Sequence, residues 1–168
     1  IINKFKTENN LEYTPEEIIV SCGAKHSLYN IFQAVFNDGD EVIIPAPYWV
    51  SYPDMAILAG AKPVIIKTED KNSFKITPDA IARVVTDKTK ALILNSPSNP
   101  TGGTYSCEEL KEIAKVCVEY KLLIISDEIY EKLVYDNFKF CSIAEIYPEA
   151  KAQTLVVNGV SKAFAMTG

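Results

Sequence analysis

Lys162 stands in a run of small and apolar residues, "NGVSKAFAMTG" (158–168), directly after a β-rich stretch at 154–157. An amine that reacts must lose its proton near neutral pH, which desolvation and nearby positive charge both favour. Gly159, Ser161, Ala163 and Ala165 are small enough to let a bulky group approach. A solvated lysine after a strand is the plainer reading. Asp127 ends the apolar run 122–126. A carboxylate there needs a cation or several donors. It reads either as a counter-charge for a ring nitrogen or as a turn or cap aspartate. Tyr130 falls on the same side as Asp127 if the chain continues as a helical turn, although packing is the commoner role. Trp49, the single tryptophan, follows a proline-rich strand end and suits a platform for a flat ring, or a lid over the core. Gly23-Ala24-Lys25 opens a helix, whose first N–H groups and dipole make an anion site. Lys25 itself can simply be solvated. Asn99 begins "NPTG", which is turn chemistry, and can present its amide inward.

These residues need elements to bring them together. The run at 18–21, "DEVIIPAPYW" up to its prolines, "KPVIIKT", the start of "KALILNSPSNPTG", "KLLIISDEIY" and "QTLVVNG" read as six short strands, several nearly continuous in apolar residues, as in sheets covered on both faces. Helical spacing of Leu28, Ile31, Phe32, Val35 and Phe36 follows the first. "SYPDMAILAGA" reads as a helix with Pro53 in its first turn and Gly60 at its end. "TPDAIARVV" has Thr77 as cap and Pro78 at the first helical position. "SCEELKEIAKVCVEY" opens with a capping box, Ser106 and Glu109. Alternating strands and helices give an α/β domain: a doubly wound, mostly parallel sheet with helices on both faces. In such sheets ligands bind beyond the carboxyl ends of the strands. All of the candidate residues follow strands, so they converge on one rim.

The chain has 168 residues, 48% hydrophobic and 23% charged, as expected of one globular domain. Its net charge of −5 argues against nucleic acid as a partner. No apolar run approaches the roughly 18 residues of a membrane span, and no signal-peptide pattern opens the chain. Cys22, Cys107, Cys117 and Cys141 form no C-x-x-C pair, and His26 is the single histidine, so no metal site is expected. Free thiols in a reducing cytoplasm are the expectation. There is no G-x-G-x-x-G and no Walker sequence.

Taken together, "GAKHSLYNIFQAVFNDGDEVIIPAPYWVSYPDM", "NSPSNPTGGTY", "SDEIYEKLVYD" and "NGVSKAFAMTG" resemble the pyridoxal-phosphate (PLP) aminotransferases of fold type I, specifically the aspartate aminotransferase family. The segments occur in the family's order and span essentially the whole chain. "PYWVSYP" is similar to the bacterial branch. The resemblance implies that Lys162 holds PLP as a Schiff base and moves the proton between Cα and C4′. Asp127 would pair with the pyridinium nitrogen. Tyr130 and Asn99 would hydrogen-bond the phenolic oxygen, Asn99 also helping to seat the substrate carboxylate. Trp49 would stack on the ring, and the backbone of Gly23, Ala24 and Lys25 would hold the phosphate. PLP carries the chemistry and the protein orients and polarises it. The resemblance further implies cis bonds at Ala46–Pro47 and Asn99–Pro100.

Related enzymes often carry a phosphate-binding hydroxyl three residues before the lysine; Gly159 stands there, with Ser161 as a substitute. The family's phosphate-binding arginine would fall at position 170, and its carboxylate-binding arginine in a small domain. Residues 1–168 are therefore expected to be the central part of the large, PLP-binding domain, without the N-terminal arm and C-terminal small domain. The implied activity is amino-group transfer from aspartate to 2-oxoglutarate by a cytoplasmic homodimer. The 168 residues alone would hold PLP weakly and not turn over. Three alternatives stay open: another class I aminotransferase (aromatic, alanine, kynurenine or prephenate), a PLP lyase, or a PLP-binding regulatory domain.

Overall fold

Five strands all run the same way, in the order β2-β1-β3-β4-β5. They are β1 (Glu41–Ala46), β2 (Lys62–Lys67), β3 (Thr89–Asn95), β4 (Leu123–Asp127) and β5 (Thr154–Val157). This is a computed structural model, and it describes residues 1–167; Gly168, the end of the last motif, lies outside the described residues. Because every strand is parallel, each link must cross back over the sheet, and helices do so on both faces.

Side-chain alternation along each strand divides the core in two. Ile43, Leu92, Leu94 and Ile124 point to one face, where α5 (Cys107–Glu119) packs with Leu110, Ile113, Ala114 and Cys117. Ile81 of α4 (Pro78–Ala82), Ile143 of α6 (Ile143–Ile146) and Ala150 of α7 (Pro148–Lys151) complete that layer. Val42, Ile44, Ala91, Ile93 and Ile125 point to the other face. There they meet Leu28 and Phe32 of α2 (Ala24–Val35) and Tyr52, Met55 and Ala56 of α3 (Ser51–Leu58). The doubly wound expectation holds, and among the described residues the sheet is parallel throughout.

Local chemistry sets the boundaries. Thr77 caps α4 by accepting from the Ala80 N–H, with Pro78 at the first helical position. The Ser106–Glu109 capping box is formed in both directions. Gly60 takes a φ of 76° where α3 turns into β2, a left-handed conformation glycine tolerates.

Several expectations need correction. The run at 18–21 forms no strand: a 3-10 turn at Pro15–Glu17 precedes it, and Ile19 and Val20 are 84% and 75% exposed. β-branched composition favours extended backbone, but no neighbouring strand is there to pair with it. The N-terminal residues, for which no element was expected, form α1 (Ile2–Asn9), whose Phe5 packs with Leu11 and Ala144. Cys107 and Cys141 are not free thiols but a disulfide, their Cα atoms 5.6 Å apart, because the start of α5 lies against the segment before α6. Cys22 and Cys117 are free. Ala46–Pro47 and Asn99–Pro100 are cis as expected, and Ser96–Pro97 is cis too. No helix among the described residues is long and apolar enough to cross a membrane, and no group of potential ligands could hold a metal among them.

Candidate active site

The parallel sheet puts Ala46, Asn95, Asp127 and Val157, the last residues of β1, β3, β4 and β5, on one rim. Register decides what meets there. Asn95 pairs with Asp127 across β3 and β4, and Asp127 with Val157 across β4 and β5. The chain beyond Val157 reaches Lys162 in five residues, so the lysine and the aspartate rise from adjacent strands on the same edge.

Asp127 is 3% exposed. Its Oδ2 accepts from the Tyr52 hydroxyl at 2.6 Å, and its Oδ1 from the Ile129 N–H at 3.3 Å. Burial raises its carboxyl pKa above the usual range, while those two hydrogen bonds pull it down. Tyr52 is driven well above the ordinary phenol range, by burial first and then by the neighbouring carboxylate. Its proton therefore stays on the phenol oxygen and is donated to Asp127. Tyr130 lies in the turn after β4, in the three-residue spacing the sequence suggested. The Leu133 N–H donates to its backbone carbonyl at 2.8 Å, keeping the chain curled there.

Asn95 joins two parts of the rim. Its Nδ2 donates to the Asp127 carbonyl at 2.9 Å, and its Oδ1 accepts from the Asn99 N–H at 2.7 Å. The loop carrying Asn99 is thereby fixed to the end of β4. A second tie, Gly102 N–H to the Ser98 carbonyl at 2.8 Å, closes the turn.

Trp49 follows β1 and meets Tyr52 edge to face, with ring centroids 5.4 Å apart. The Lys25 ammonium lies 4.9 Å from the Trp49 ring centre. Gly23, with a φ of 83°, is the N-cap of α2. Its carbonyl accepts from His26 and Ser27 N–H, so the first helical amides, those of Ala24 and Lys25, face outward without an intrahelical acceptor. His26 Nδ1 accepts from the Cys22 N–H, which holds the loop before the helix in place.

Lys162 is exposed and Ser161 half-buried, in a turn over 161–164. The Asn158 carboxamide accepts from the Gly159 N–H at 2.7 Å, and its buried Nδ2 has no partner among the described residues. A Cβ at Gly159 would come within 3.0 Å of Ile129 Cδ1, which explains why glycine fits this turn so closely against the segment after Asp127. Trp49, Asn99, Tyr130 and Lys162 each follow a strand of the one parallel sheet, whereas Gly23, Ala24 and Lys25 open α2 without a strand before them; two residues that sequence reasoning missed, Tyr52 and Asn95, hydrogen-bond to Asp127. Both reach Asp127 from far along the chain: Asn95 by the β3–β4 register, Tyr52 by the docking of α3 on the sheet.

The family model for aminotransferase class I and II matches residues 1–168. The chain is 58% identical over 168 residues to an aspartate aminotransferase of Bacillus sp. (strain YM-2), covering 100% of this chain and 43% of that protein. It is 54% identical over 169 residues to a probable aspartate/prephenate aminotransferase of Rickettsia typhi, covering 100% of this chain and 42% of that protein. Among solved structures, an aspartate aminotransferase from Rhizobium meliloti superposes with a TM-score of 0.97 at 42% identity, covering 99% of this chain and 42% of that one. An aromatic aminotransferase from Pyrococcus horikoshii OT3 does so with 0.95 at 45% identity, covering 99% and 44%. The chain thus spans well under half the length of these relatives. A family model matched from the first residue to the last makes this chain a member of the class I and II aminotransferases.

Proposed function

We propose that this chain is the central part of the PLP-binding large domain of an aminotransferase that moves an amino group from aspartate to 2-oxoglutarate. Aminotransferases of this family depend on PLP. The observation that carries the reading is Asp127: a buried carboxylate at a strand end, donated to on both oxygens, on the same rim as Lys162. A buried anion with only neutral donors is incomplete, and a protonated ring nitrogen completes it. The residues present fit the cofactor in two further ways. The outward amides at the start of α2 suit a phosphate. The unpartnered Asn158 Nδ2 offers a donor on the rim.

Bound PLP would supply an electron sink for the carbanion left when the substrate's Cα proton is removed. The chain's own residues would do the rest. Asp127 would hold a proton at the ring nitrogen through its charge, with Tyr52 keeping that carboxylate ionised and aimed. The Lys162 Nζ would hold the cofactor at its aldehyde and carry the proton at the substrate Cα. Trp49 would cover a ring face, and Asn99 and Tyr130 would hold the ring's phenolic oxygen by hydrogen bonds. The Ala24 and Lys25 amides, with Gly23 permitting the approach and Ser161 as a further donor, would bind the phosphate. The exposed Lys25 ammonium beside Trp49 puts a cation where a second substrate carboxylate would gain from it, which supports a dicarboxylic substrate.

The same proposal includes a homodimer and a cytoplasmic setting. The Cys107–Cys141 disulfide weighs against a reducing compartment, and the alkylation state of these two cysteines in fresh extract decides the setting. In the complete protein carrying this chain, borohydride reduction with PLP followed by peptide mapping is expected to label Lys162. Aspartate and 2-oxoglutarate are expected to yield oxaloacetate and glutamate. Label on another lysine, or none, overturns the reading. The likeness to an aromatic aminotransferase favours one competing substrate class, and the ratio of kcat/KM for aspartate and phenylalanine decides between them. The 168 residues alone are expected to bind PLP weakly and not turn over.

A further inference from the structure

Three carboxyl groups are buried within five residues at the end of β4: Asp127, Glu128 and Glu131, at 3%, 2% and 5% exposure. Their partners differ. Asp127 has the Tyr52 hydroxyl and the Ile129 N–H, one on each oxygen. Glu131 has the Lys4 ammonium on Oε1 and the Asn9 Nδ2 on Oε2 at 2.9 Å. Glu128 has two neutral hydroxyls on one oxygen: Ser126 and Ser142 both donate to Oε1 at 2.8 Å. Its Oε2 has no partner among the described residues. Lys4, whose charge acts on this group, is already engaged by Glu131.

An ionised Glu128 would leave a bare anionic oxygen in the interior, which costs far more than a bare hydroxyl. We propose that Glu128 is a positioning residue carried as a neutral carboxylic acid, its proton on Oε2 and its Oε1 tying β4 to the start of α6 beside Asp127. Ser126 is the residue before Asp127, and Ser142 is the N-cap of α6. The neutral side chain thus pins both flanks of the turn that presents Asp127 and Tyr130. Staying neutral also leaves Asp127 as the one uncompensated anion of the rim. The role assigned to that anion rests on the PLP reading above; the protonation state of Glu128 does not.

Burial pushes the Glu128 carboxyl up to about 7, against the pull of the two serine hydroxyls. The groups facing it are few. Glu131 in the turn raises it further and Lys4 on α1 lowers it. Tyr13, after α1, is itself raised to about 12, by burial first and then by Glu128 and Glu17. Asp127 adjoins it along the chain.

The test uses the complete protein labelled with carboxyl-13C glutamate, which separates Glu from Asp in the infrared. A glutamic-acid C=O band is expected at about pH 6, where an ordinary glutamate is ionised. It should fade as pH rises through about 7 and be missing in Glu128→Gln. No such band at about pH 6, or a band unchanged by the substitution, overturns the proposal. Independently, Glu128→Gln keeps the neutral shape and is expected to hold PLP affinity within about threefold of wild type, whereas Glu128→Ala weakens it by about tenfold or more. Gln as damaging as Ala overturns the neutral assignment. A wild type with no PLP absorbance at all would remove the role of Asp127, while the infrared titration would still decide Glu128.

Discussion

The Tyr52 hydroxyl reaches the Asp127 carboxylate at 2.6 Å across 75 residues of sequence, from the first turn of α3 to the last residue of β4. It ties α3 to the end of β4: α3 is packed by the core beneath it, and its tyrosine aims the acid on which the proposed cofactor site depends.

Tyr52→Phe removes a donor to a charged oxygen, an interaction of about 1.5–3 kcal/mol. PLP affinity in the complete protein is expected to fall by about tenfold to a hundredfold. The sign on pH follows from the cause. The Tyr52 bond lowers the Asp127 pKa, so its loss raises it, and the acid limb of a kcat/KM profile should move to higher pH. A profile unmoved on that side refutes the coupling.

Asn95 allows a finer cut. Asn95→Asp keeps an acceptor for the Asn99 N–H but loses the donor to the Asp127 carbonyl. Asn95→Ala loses both. Stability measured by urea unfolding is expected to drop by about 1 kcal/mol for each bond lost, more for the alanine variant. Equal losses would show that the two bonds do not act separately.

Glu128 shapes stability against pH. Its folded pKa of about 7 lies above the unfolded value of 4.5. The folded state therefore binds the proton more tightly, and the stability this lends is full below about 4.5 and lost as pH rises through about 7. The loss is on the order of 3 kcal/mol. Glu128→Gln should flatten that part of the curve, read as the urea midpoint at successive pH values.

The two free thiols should separate cleanly. Cys22 is exposed, while burial raises the Cys117 thiol to about 12. The thiolate is the reactive form. Iodoacetamide at neutral pH is expected to label Cys22 in the folded protein and Cys117 only after denaturation, read by peptide mass. Prompt labelling of Cys117 in the native protein would contradict its place in the core.

Much of this was legible in the sequence because it is local. The Ser106–Glu109 box, the Thr77-Pro78 start and five of the six expected strands follow from periodicity and capping, and these are present. The common edge for the residues that end β1, β3, β4 and β5 followed too, since a parallel sheet sends all its strand ends one way. What failed or was missed depends on partners remote in sequence. The run at 18–21 has strand composition but no strand beside it. Cys107 and Cys141 meet only because α5 and the segment before α6 pack together. Asn95 gains its role from the β3–β4 register, and Tyr52 from the packing of α3 on the sheet. Glu128 was hidden in plain view within "SDEIY", its importance arising from what its second oxygen lacks.

The strand order has a kinetic corollary. With β1 placed between β2 and β3 and every neighbour parallel, no two adjacent strands can zip up as a hairpin. Loop closure over long separations must precede the reward of pairing, which slows such topologies. Asn95 meets Asp127, and Asp127 meets Tyr52, only after β3, β4 and α3 have all docked. A ligand recognised at this edge would be captured late, and its uptake would time the completion of the sheet beneath it.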